Sequence, residues 1–325
     1  MSKEKKLIPE LRFPEFVKNG NWEEVPLEQL CQVITKGTTP TTLGFNYTDE
    51  GVNFIKIESI ENGRINLSKV AYVSNECHET LKRSQLEEND ILFSIAGALG
   101  VVAPVSEKDL PANTNQALAI VRLKNEYNRN FIIKYLSSSN IGSEILKIKA
   151  GAAQPNLSLS QVGNFNILLP KPKEQQKIAS CLSSLDELIT AHSDKLAALK
   201  DHKKGLMQNL FPQQGHKVPN YRFPEFEGDG EWVKKTFYEL FEIGNGKNYK
   251  HLDEGEVPVY GSGGYMLSVN DFLYNGESVC IGRKGTINNP MFLTGKFCTD
   301  DTLFYNYSFK NIIQQFIFYI FQNIN

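Results

Sequence analysis

Hydrophobic positions divide the chain into two kinds of segment, of which the first is a series of short apolar runs. In the first 170 residues these runs are separated by clusters of Gly, Pro and Asn. Three of the runs cover residues 52–57, 90–95 and 117–123. Short apolar runs bounded by turn-forming residues predict strands, so this region is expected to form a mostly β body with irregular loops.

The second kind of segment is a long heptad pattern that begins after Pro172. Apolar residues recur at spacings of four and three from residue 178 to residue 210, and Phe211 and Pro212 end the pattern. The repeat predicts one continuous helix, roughly 50 Å long at about 1.5 Å per residue. The positions expected to pair with another helix are Ile178, Leu182, Leu185, Ile189, Leu196, Leu199, Leu206 and Leu210, with His192 and Lys203 as polar members of the same seam.

This seam favours a coiled-coil partner over burial in a globular core. Apolar residues spaced by three and four form the narrow stripe that a second helix covers. A helix buried against globular domains would show a wider and less regular stripe. Coiled-coil pairing is therefore the preferred interpretation, and burial of the helix against its own domains is the alternative.

An internal repeat indicates that the chain contains two related domains. Residues 9–30 match residues 219–240 without a gap, with nine identities that include RFPEF and the pair Trp22 and Trp232. A second block aligns at an offset of 185, which places Thr114 with Thr299 and Phe131 with Phe316. The second copy is expected to be incomplete at its C-terminal end, because Asn325 corresponds to Asn140. It should lack the strand that completes the first copy.

These patterns predict an α+β protein with tandem, mostly β domains joined by a long heptad helix. The expected divisions are a first domain over residues 1–170, a helical segment over 171–212 and a second domain over 213–325. A length of 325 residues is typical of two domains.

Composition narrows the class of protein without naming a partner. The net charge of −2 excludes a uniformly basic nucleic-acid coat but allows a local basic face. We expect a cytoplasmic protein without a membrane span, because the charged start lacks an apolar segment and no apolar run approaches about 18 residues. The five cysteines contain no CxxC pair, which favours reduced thiols and argues against a metal site.

An ordered series of motifs between residues 154 and 211 carries a family resemblance. QPNLS at 154–158, ILLPKP at 167–172, EQQKIA at 174–179 and GLMQNLF at 205–211 resemble the specificity subunit of type I restriction-modification systems. The repeated RFPEF segments are similar to that family as well. The resemblance implies two target-recognition domains, each followed by a long helix, that read a bipartite, gapped site in double-stranded DNA.

The same resemblance implies a division of labour within a complex that defends against foreign DNA. It implies that this chain docks modification (methyltransferase) and restriction subunits and has no catalytic activity itself. S-adenosylmethionine, ATP and Mg²⁺ would be used by those partners. The residues agree with this interpretation, since 244–248 lack P-loop spacing and Asn289-Pro290-Met291-Phe292 departs from the adenine methyltransferase motif.

The sequence departs from the family pattern because the second domain ends before its own QPNLS and heptad segments. The seam over residues 178–210 would then lack its intramolecular partner. We expect two chains to pair these helices antiparallel as a homodimer, which would read a palindromic gapped target. The alternative is a truncated half-subunit that acts as a coiled-coil interaction or sequestering protein without sequence-specific DNA binding.

Loop tips provide the candidate DNA contacts. Lys, Arg, Ser and Thr hold phosphates, whereas Arg, Lys, Asn and Gln read base edges. For each residue the alternative is ordinary turn chemistry. The candidates are Lys36, Thr38, Thr39, Lys56, Arg64, Ser94, Asn113, Asn115 and Gln116 in the first domain, and Lys247, Ser262, Arg283, Lys284 and Thr286 in the second.

Overall fold

The chain folds into two units, and each unit has its own sheets and apolar clusters. The structure is a computed structural model and describes residues 7–150, 155–283 and 289–323. The first unit is Met1–Thr190 and the second is Ala191–Asn325. The boundary between them falls inside the helical segment expected over residues 171–212.

The first unit is built mainly from short strands. They are β1 (Glu23–Pro26), β2 (Cys31–Lys36), β3 (Val52–Ile55), β4 (Ile60–Glu61), β5 (Arg64–Ile65), β6 (Ala71–Val73), β7 (Ile91–Ser94), β8 (Val102–Pro104), β9 (Ala112–Thr114), β10 (Leu118–Leu123) and β11 (Asn166–Leu169). The three predicted apolar runs correspond to β3, β7 and β10, which confirms those strands.

Two sheets form the body of the first unit. One is antiparallel in the order β2-β10-β7-β8, and the other has the order β6-β3-β9 with β3 and β9 parallel. Ile91 and Phe93 of β7 face one apolar cluster, whereas Leu92 faces another. Because β7 is covered on both faces, its apolar residues are consecutive instead of alternating. In addition, β1 pairs with β11 and β4 pairs with β5.

Six α-helices begin in the described part of the first unit, and the last of them continues into the second. They are α1 (Leu27–Leu30), α2 (Asn75–Thr80), α3 (Arg129–Leu136), α4 (Ser139–Lys149), α5 (Leu159–Gly163) and α6 (Pro172–Leu210). A capping box explains where α5 begins, since Ser158 accepts a hydrogen bond from the Gln161 backbone N–H and Gln161 accepts one from that of Ser158. The serine of the QPNLS motif is therefore a helix cap.

The long helix α6 confirms the heptad prediction. It contains 39 residues, which corresponds to a length of about 58 Å. Its seam leucines are 40–55% exposed at Leu182, Leu185, Leu196, Leu199 and Leu206.

The two ends of the seam behave differently from its middle. Ile178 is half-buried against the core of the first unit, and Leu210 lines an apolar cavity of the second unit. Both residues are half-buried within the units that contain them, and their pairing with another helix stays a prediction.

The second unit repeats the same design in fewer elements. Its strands are β12 (Glu242–Asn245), β13 (Glu254–Gly261), β14 (Gly264–Val269), β15 (Tyr274–Asn275), β16 (Ser278–Gly282), β17 (Met291–Leu293), β18 (Lys296–Thr299) and β19 (Leu303–Tyr307), and its helices are α7 (Phe237–Leu240) and α8 (Gln314–Asn323).

The topology of the second unit confirms the internal repeat. The order β12-β19-β16-β17 reproduces β2-β10-β7-β8 of the first unit. The other sheet again contains a parallel pair, β13 and β18. In that pair Tyr260 lies opposite Thr299, just as Ile55 lies opposite Thr114 in the first unit. The alignment of Thr114 with Thr299 is therefore a structural equivalence.

One strand pair of the first unit has no counterpart among the described residues of the second. In the first unit, β1 pairs with β11 over four residues, from Glu23 opposite Leu169 to Pro26 opposite Asn166. Residues 233–236 occupy the position of β1 by sequence, yet they form no strand pairing in the described part of the second unit. Val233 is 80% exposed there.

Four of the five cysteine thiols are buried. Burial raises the pKa of Cys31 and of Cys280 to about 12, and it also raises the pKa of Cys77 and Cys298. Only Cys181, on α6, is exposed. In the described ranges no helix is long and apolar enough to cross a membrane.

We therefore expect one fast-reacting thiol in the native chain. Because the thiolate is the reactive form, a pKa of about 12 at Cys31 and Cys280 leaves almost no thiolate at pH 8. Titration with a chromogenic disulfide reagent at pH 8 should modify Cys181 rapidly and the other four only after denaturation. The variant Cys181→Ser should show no rapid phase. Rapid labelling of two or more thiols in the native chain would contradict this burial.

Candidate nucleic-acid interface

The loop that follows β2 packs against the loop that follows β9. The Thr38 backbone N–H donates to the Thr114 carbonyl at 3.1 Å, and the Thr39 hydroxyl hydrogen-bonds the Gln116 side chain. A Cβ at Gly37 would lie 1.9 Å from the Thr114 carbonyl oxygen, so this close approach requires glycine. The structure thus brings together candidates that are far apart in sequence.

The second unit contains the same junction between loops. The Lys247 backbone N–H donates to the Thr299 carbonyl at 2.9 Å. A Cβ at Gly246 would lie 1.7 Å from the Asp300 carbonyl oxygen, so glycine is again required. The side chains of Lys36 and Lys247 are both exposed beside their junctions. Each unit therefore presents a lysine next to a fixed crossing of two loops.

Arg83 belongs to this site, although residue type and spacing did not identify it. It is exposed, and its guanidinium donates to the Thr38 hydroxyl at 3.1 Å. Lys82 and Arg83 line a groove of about 750 Å³, and the polar side chains of its lining also include Thr35, His78, Gln85, Glu87 and Glu107. A basic pair beside these hydrogen-bonding side chains has the chemistry that contacts phosphates and base edges.

Arg122 lines the same groove, but its guanidinium is occupied by carboxylates of the first unit. Its guanidinium donates to both carboxylate oxygens of the buried Asp90, at 2.7 and 2.8 Å, and to Glu87 at 2.5 Å. The hydrogen bond with Asp90 is the main reason that the pKa of Arg122 is raised. Arg122 thus stabilises the groove wall, whereas Arg83 and Lys82 form no ion pair in the described ranges.

Lys56 directly follows Ile55, which lies opposite the junction residue Thr114, whereas Arg64 lies in the β4–β5 hairpin. The Lys56 ammonium lies 4.0 Å from the centre of the Tyr47 ring, a cation–π geometry. Arg64 is exposed in the β4–β5 hairpin opposite Glu61. That carboxylate is engaged by Lys69 and Asn66, whose hydrogen bonds lower the pKa of Glu61.

Ser94 and Asn113 are corrected, because both side chains are buried. The Ser94 hydroxyl donates to the Ala98 carbonyl and accepts from the Val101 backbone N–H. The Asn113 amide donates to the Leu81 carbonyl and the Ser84 hydroxyl. Asn115 stays half-buried and caps a turn through the Ala117 backbone N–H, while Gln116 is exposed.

Candidates of the second unit converge on residues 299–302. The Arg283 guanidinium donates to the Asp301 carbonyl at 3.0 Å and lies 5.1 Å from the centre of the Phe304 ring. The Ser262 backbone N–H donates to the Thr302 hydroxyl at 3.2 Å. Together with Lys247, they surround the loop that matches residues 114–117. Lys284 and Thr286 lie outside the described residues.

Metal ligation has no candidate in the described ranges. No group of three or more His, Cys, Asp or Glu side chains is arranged there to hold a metal ion.

The chain has two related units with basic loop junctions and a long helix, and its sequence matches the model of a known protein family. The family described as "Type I restriction modification DNA specificity domain" matches residues 19–201 and 229–325. The chain belongs to this family.

Individual relatives agree with the family assignment. The type I restriction enzyme MjaVIII specificity subunit of Methanocaldococcus jannaschii is 25% identical over 245 residues, covering 75% of this chain and 53% of that protein. The type I restriction enzyme EcoBI specificity subunit of Escherichia coli is 27% identical over 164 residues, covering 50% of this chain and 33% of that protein. The chain thus spans about half the length of these curated relatives, or less.

A solved structure shares the fold. The S subunit of a type I restriction-modification system from M. genitalium aligns with a TM-score of 0.63 and 19% identity, over 93% of this chain and 76% of that one. The similarity supports the mixed α and β architecture with a long helix.

The glycine junction gives a direct test of the site geometry. The substitution Gly37→Ala should destabilise the chain by about 1–3 kcal/mol, because the new methyl group cannot fit beside the Thr114 carbonyl. Thermal unfolding of the two proteins would measure the change. Gly142→Ala is the matched control, since Gly142 lies in α4 with open space around it. It should be neutral or stabilising by up to about 1 kcal/mol. Equal effects at the two positions would contradict the tight junction.

Proposed function

We propose that this chain is the DNA sequence-recognition subunit of a type I restriction-modification complex. Each unit reads one half of a bipartite, gapped site in double-stranded DNA. The observation that supports this proposal is the duplication of one loop junction, with exposed Lys36 and Arg83 beside it in the first unit and Lys247 and Arg283 in the second. Each unit has its own core and one basic junction, so the two junctions can contact the two half-sites separately.

In this proposal the partner subunits carry out catalysis. The complex acts in the cytoplasm. Modification subunits dock on this chain and transfer methyl groups from S-adenosylmethionine, and restriction subunits use ATP and Mg²⁺. The chain positions the complex on DNA and selects the target sequence, since its loop junctions carry side chains that can contact phosphates and bases.

Mapping methylated adenines would test the function directly. Co-expression of the chain with its modification subunit should create a gapped methylated motif in the host genome that is absent without the chain. A stable complex that adds no methylation would contradict the proposal and favour a sequestering role.

The half-site assignment predicts separable effects of two arginines. With the target known, Arg83→Ala should weaken binding of the complex to its cognate duplex by roughly 5- to 100-fold and reduce discrimination at one half-site only. Arg283→Ala should do the same at the other half-site. Dissociation constants for the cognate duplex and for duplexes with one scrambled half-site would measure both effects.

A lysine outside the junctions provides the control for the arginine variants. Lys18 is exposed in the first unit, so Lys18→Ala should change affinity by less than about twofold and leave discrimination unchanged. If Arg83→Ala reduced discrimination at both half-sites equally, the assignment of one unit to one half-site would be wrong.

The alternative to one half-site per unit is a homodimer through the seam of α6, in which Arg83→Ala would reduce discrimination at both half-sites. Leu185, Leu196 and Leu199 are each 50–55% exposed, and a row of such leucines favours a helical partner. Pairing with the same seam of a second chain is antiparallel and two-fold symmetric. Two first units in opposite orientations would read a palindromic gapped target.

Light scattering would measure this association. The wild-type chain should have the mass of a dimer at micromolar concentration, and Leu196→Glu with Leu199→Glu should give a monomer because two charges enter an apolar seam. Ala198→Glu lies off the seam on the same helix and should leave the dimer intact. A wild-type monomer from micromolar concentration upward would refute the homodimer.

A further inference from the structure

A buried asparagine on β9 supports the groove of the first unit. The Asn113 side chain is fully buried, and its amide nitrogen donates to the Leu81 carbonyl and to the Ser84 hydroxyl, each at 3.2 Å. Its amide oxygen lies 2.5 Å from Nδ1 of His78. Asn113 therefore joins a histidine of α2 to the turn at residues 81–84.

Hydrogen-bond chemistry fixes the orientation of this amide and the tautomer of the histidine. A backbone carbonyl can only accept, so the NH₂ group of Asn113 must face Leu81 and the amide oxygen must face His78. An amide oxygen can also only accept, so Nδ1 of His78 carries a hydrogen and donates it. In the neutral ring the other nitrogen, Nε2, is then an acceptor. Nε2 forms no hydrogen bond with the described residues.

The backbone of His78 is held in place as well as its ring. The His78 backbone N–H donates to the Ser74 carbonyl at 3.0 Å, and the His78 carbonyl accepts from the Gln85 side chain at 2.8 Å. The residue is half-buried and lines the groove. Because Nδ1 is turned toward the buried Asn113, Nε2 on the far side of the ring is the polar atom that a ligand in the groove can reach.

The other polar groups of the groove are less selective or less fixed than this nitrogen. The lysine and arginines of the lining only donate, whereas Thr35 and Gln85 can both donate and accept. Glu87 and Glu107 only accept when ionised, but both are exposed, and Glu87 is engaged by Arg122. A neutral imidazole whose Nδ1 is occupied can only accept at Nε2, so it selects a donor.

We propose that His78 is a specificity-determining residue of the first unit. Its Nε2 accepts a hydrogen bond from the exocyclic amino group of one base in the major groove, N6 of adenine or N4 of cytosine. Those amino groups are the donors that the major groove presents. Guanine O6 or thymine O4 would instead face the nitrogen with a second acceptor and leave it unpaired. The inference rests on the proposed function, because it assigns one contact within a DNA half-site.

The second unit does not repeat this arrangement. Cys298 stands at the position of Asn113 at an offset of 185, and each residue lies in the parallel strand pair of its unit. The Cys298 thiol donates to the Asp271 carbonyl at 3.4 Å. The two units therefore use this position to hold different loops, and the amino-group contact of His78 belongs to the first unit.

Removal of single amino groups from DNA would test the contact. The complex of the full chain with its modification subunit would be titrated with cognate duplexes in which one adenine is replaced by purine or one cytosine by 2-pyrimidinone. Every base pair has one amino group in the major groove, so the scan covers a half-site completely and distinguishes adenine from cytosine. Measurements at pH 8 keep histidine side chains mainly neutral.

The variant His78→Asn separates recognition from folding. Its side-chain NH₂ group lies near the position of Nδ1 and can still donate to Asn113, but nothing replaces Nε2. At one base pair of a half-site that depends on Arg83, loss of the amino group should weaken wild-type binding roughly 3- to 10-fold more than it weakens binding of the variant. The variant should bind the unmodified duplex more weakly than the wild type by the same factor.

A second histidine provides the matched control. His216 is exposed in the turn after α6 and is not part of the groove. His216→Asn should therefore respond to every base replacement as the wild type does.

Three results would overturn the proposal while leaving the proposed function intact. The first is a wild-type scan in which no single amino group of the half-site changes affinity by threefold, which requires no variant. The second is an equal response of wild type and His78→Asn at every base pair. The third is a variant that binds all duplexes more weakly by one factor, as a phosphate contact or a purely structural role would produce. A wild-type complex that binds cognate and scrambled duplexes equally would overturn the proposed function and this inference together.

Discussion

The buried pair of Arg12 and Glu174 is the constraint on which the first unit depends. Two opposite charges leave water together, and the bidentate geometry with a third hydrogen bond from Trp22 compensates for their desolvation. Because the two residues are 162 positions apart, the pair fixes where α6 begins relative to the start of the chain. The β1–β11 pairing follows from that placement, and so does the burial of Ile178 at the first turns of the helix.

The basic residues of the first unit fall into two groups. Some are bonded to carboxylates or carbonyls of the unit itself, and others are exposed to solvent. Arg12 and Arg122 are paired with carboxylates, and Arg129 is half-buried against the Val105 and Asp90 carbonyls. Burial is the main reason that the pKa of Arg129 is lowered. Lys36 and Arg83 instead lie exposed beside the Gly37 junction. Lys36 and Arg83 are thus available to contact a ligand, whereas Arg12 and Arg122 are occupied by carboxylates.

Local patterns predicted the long helix and three of the strands, and the repeat predicted that the chain contains two related domains. The heptad predicted a helix over 171–212, and α6 covers Pro172–Leu210. The prediction succeeds because helical periodicity depends only on residues that are close together in the sequence. The alignment of Thr114 with Thr299 is a structural equivalence, but the sequence did not predict that these threonine carbonyls meet the loops after β2 and β12. Arg83 was missed because its approach to Thr38 depends on the path of the chain between β6 and β7, which no local pattern encodes. Ser94 and Asn113 were assigned to DNA by residue type, and residue type does not report burial.

The glycine junctions also have a consequence for the thermodynamics of association. At Gly37 and Gly246 the two loop backbones touch so closely that neither loop has room to rearrange independently of the other. The side chains beside them are preorganised, so that less conformational entropy is lost when a ligand immobilises them. Preorganisation of this kind slows dissociation more than it speeds encounter. Two preorganised junctions on one chain would also bind bivalently. When one junction dissociates from its site, the other junction still holds the chain in place.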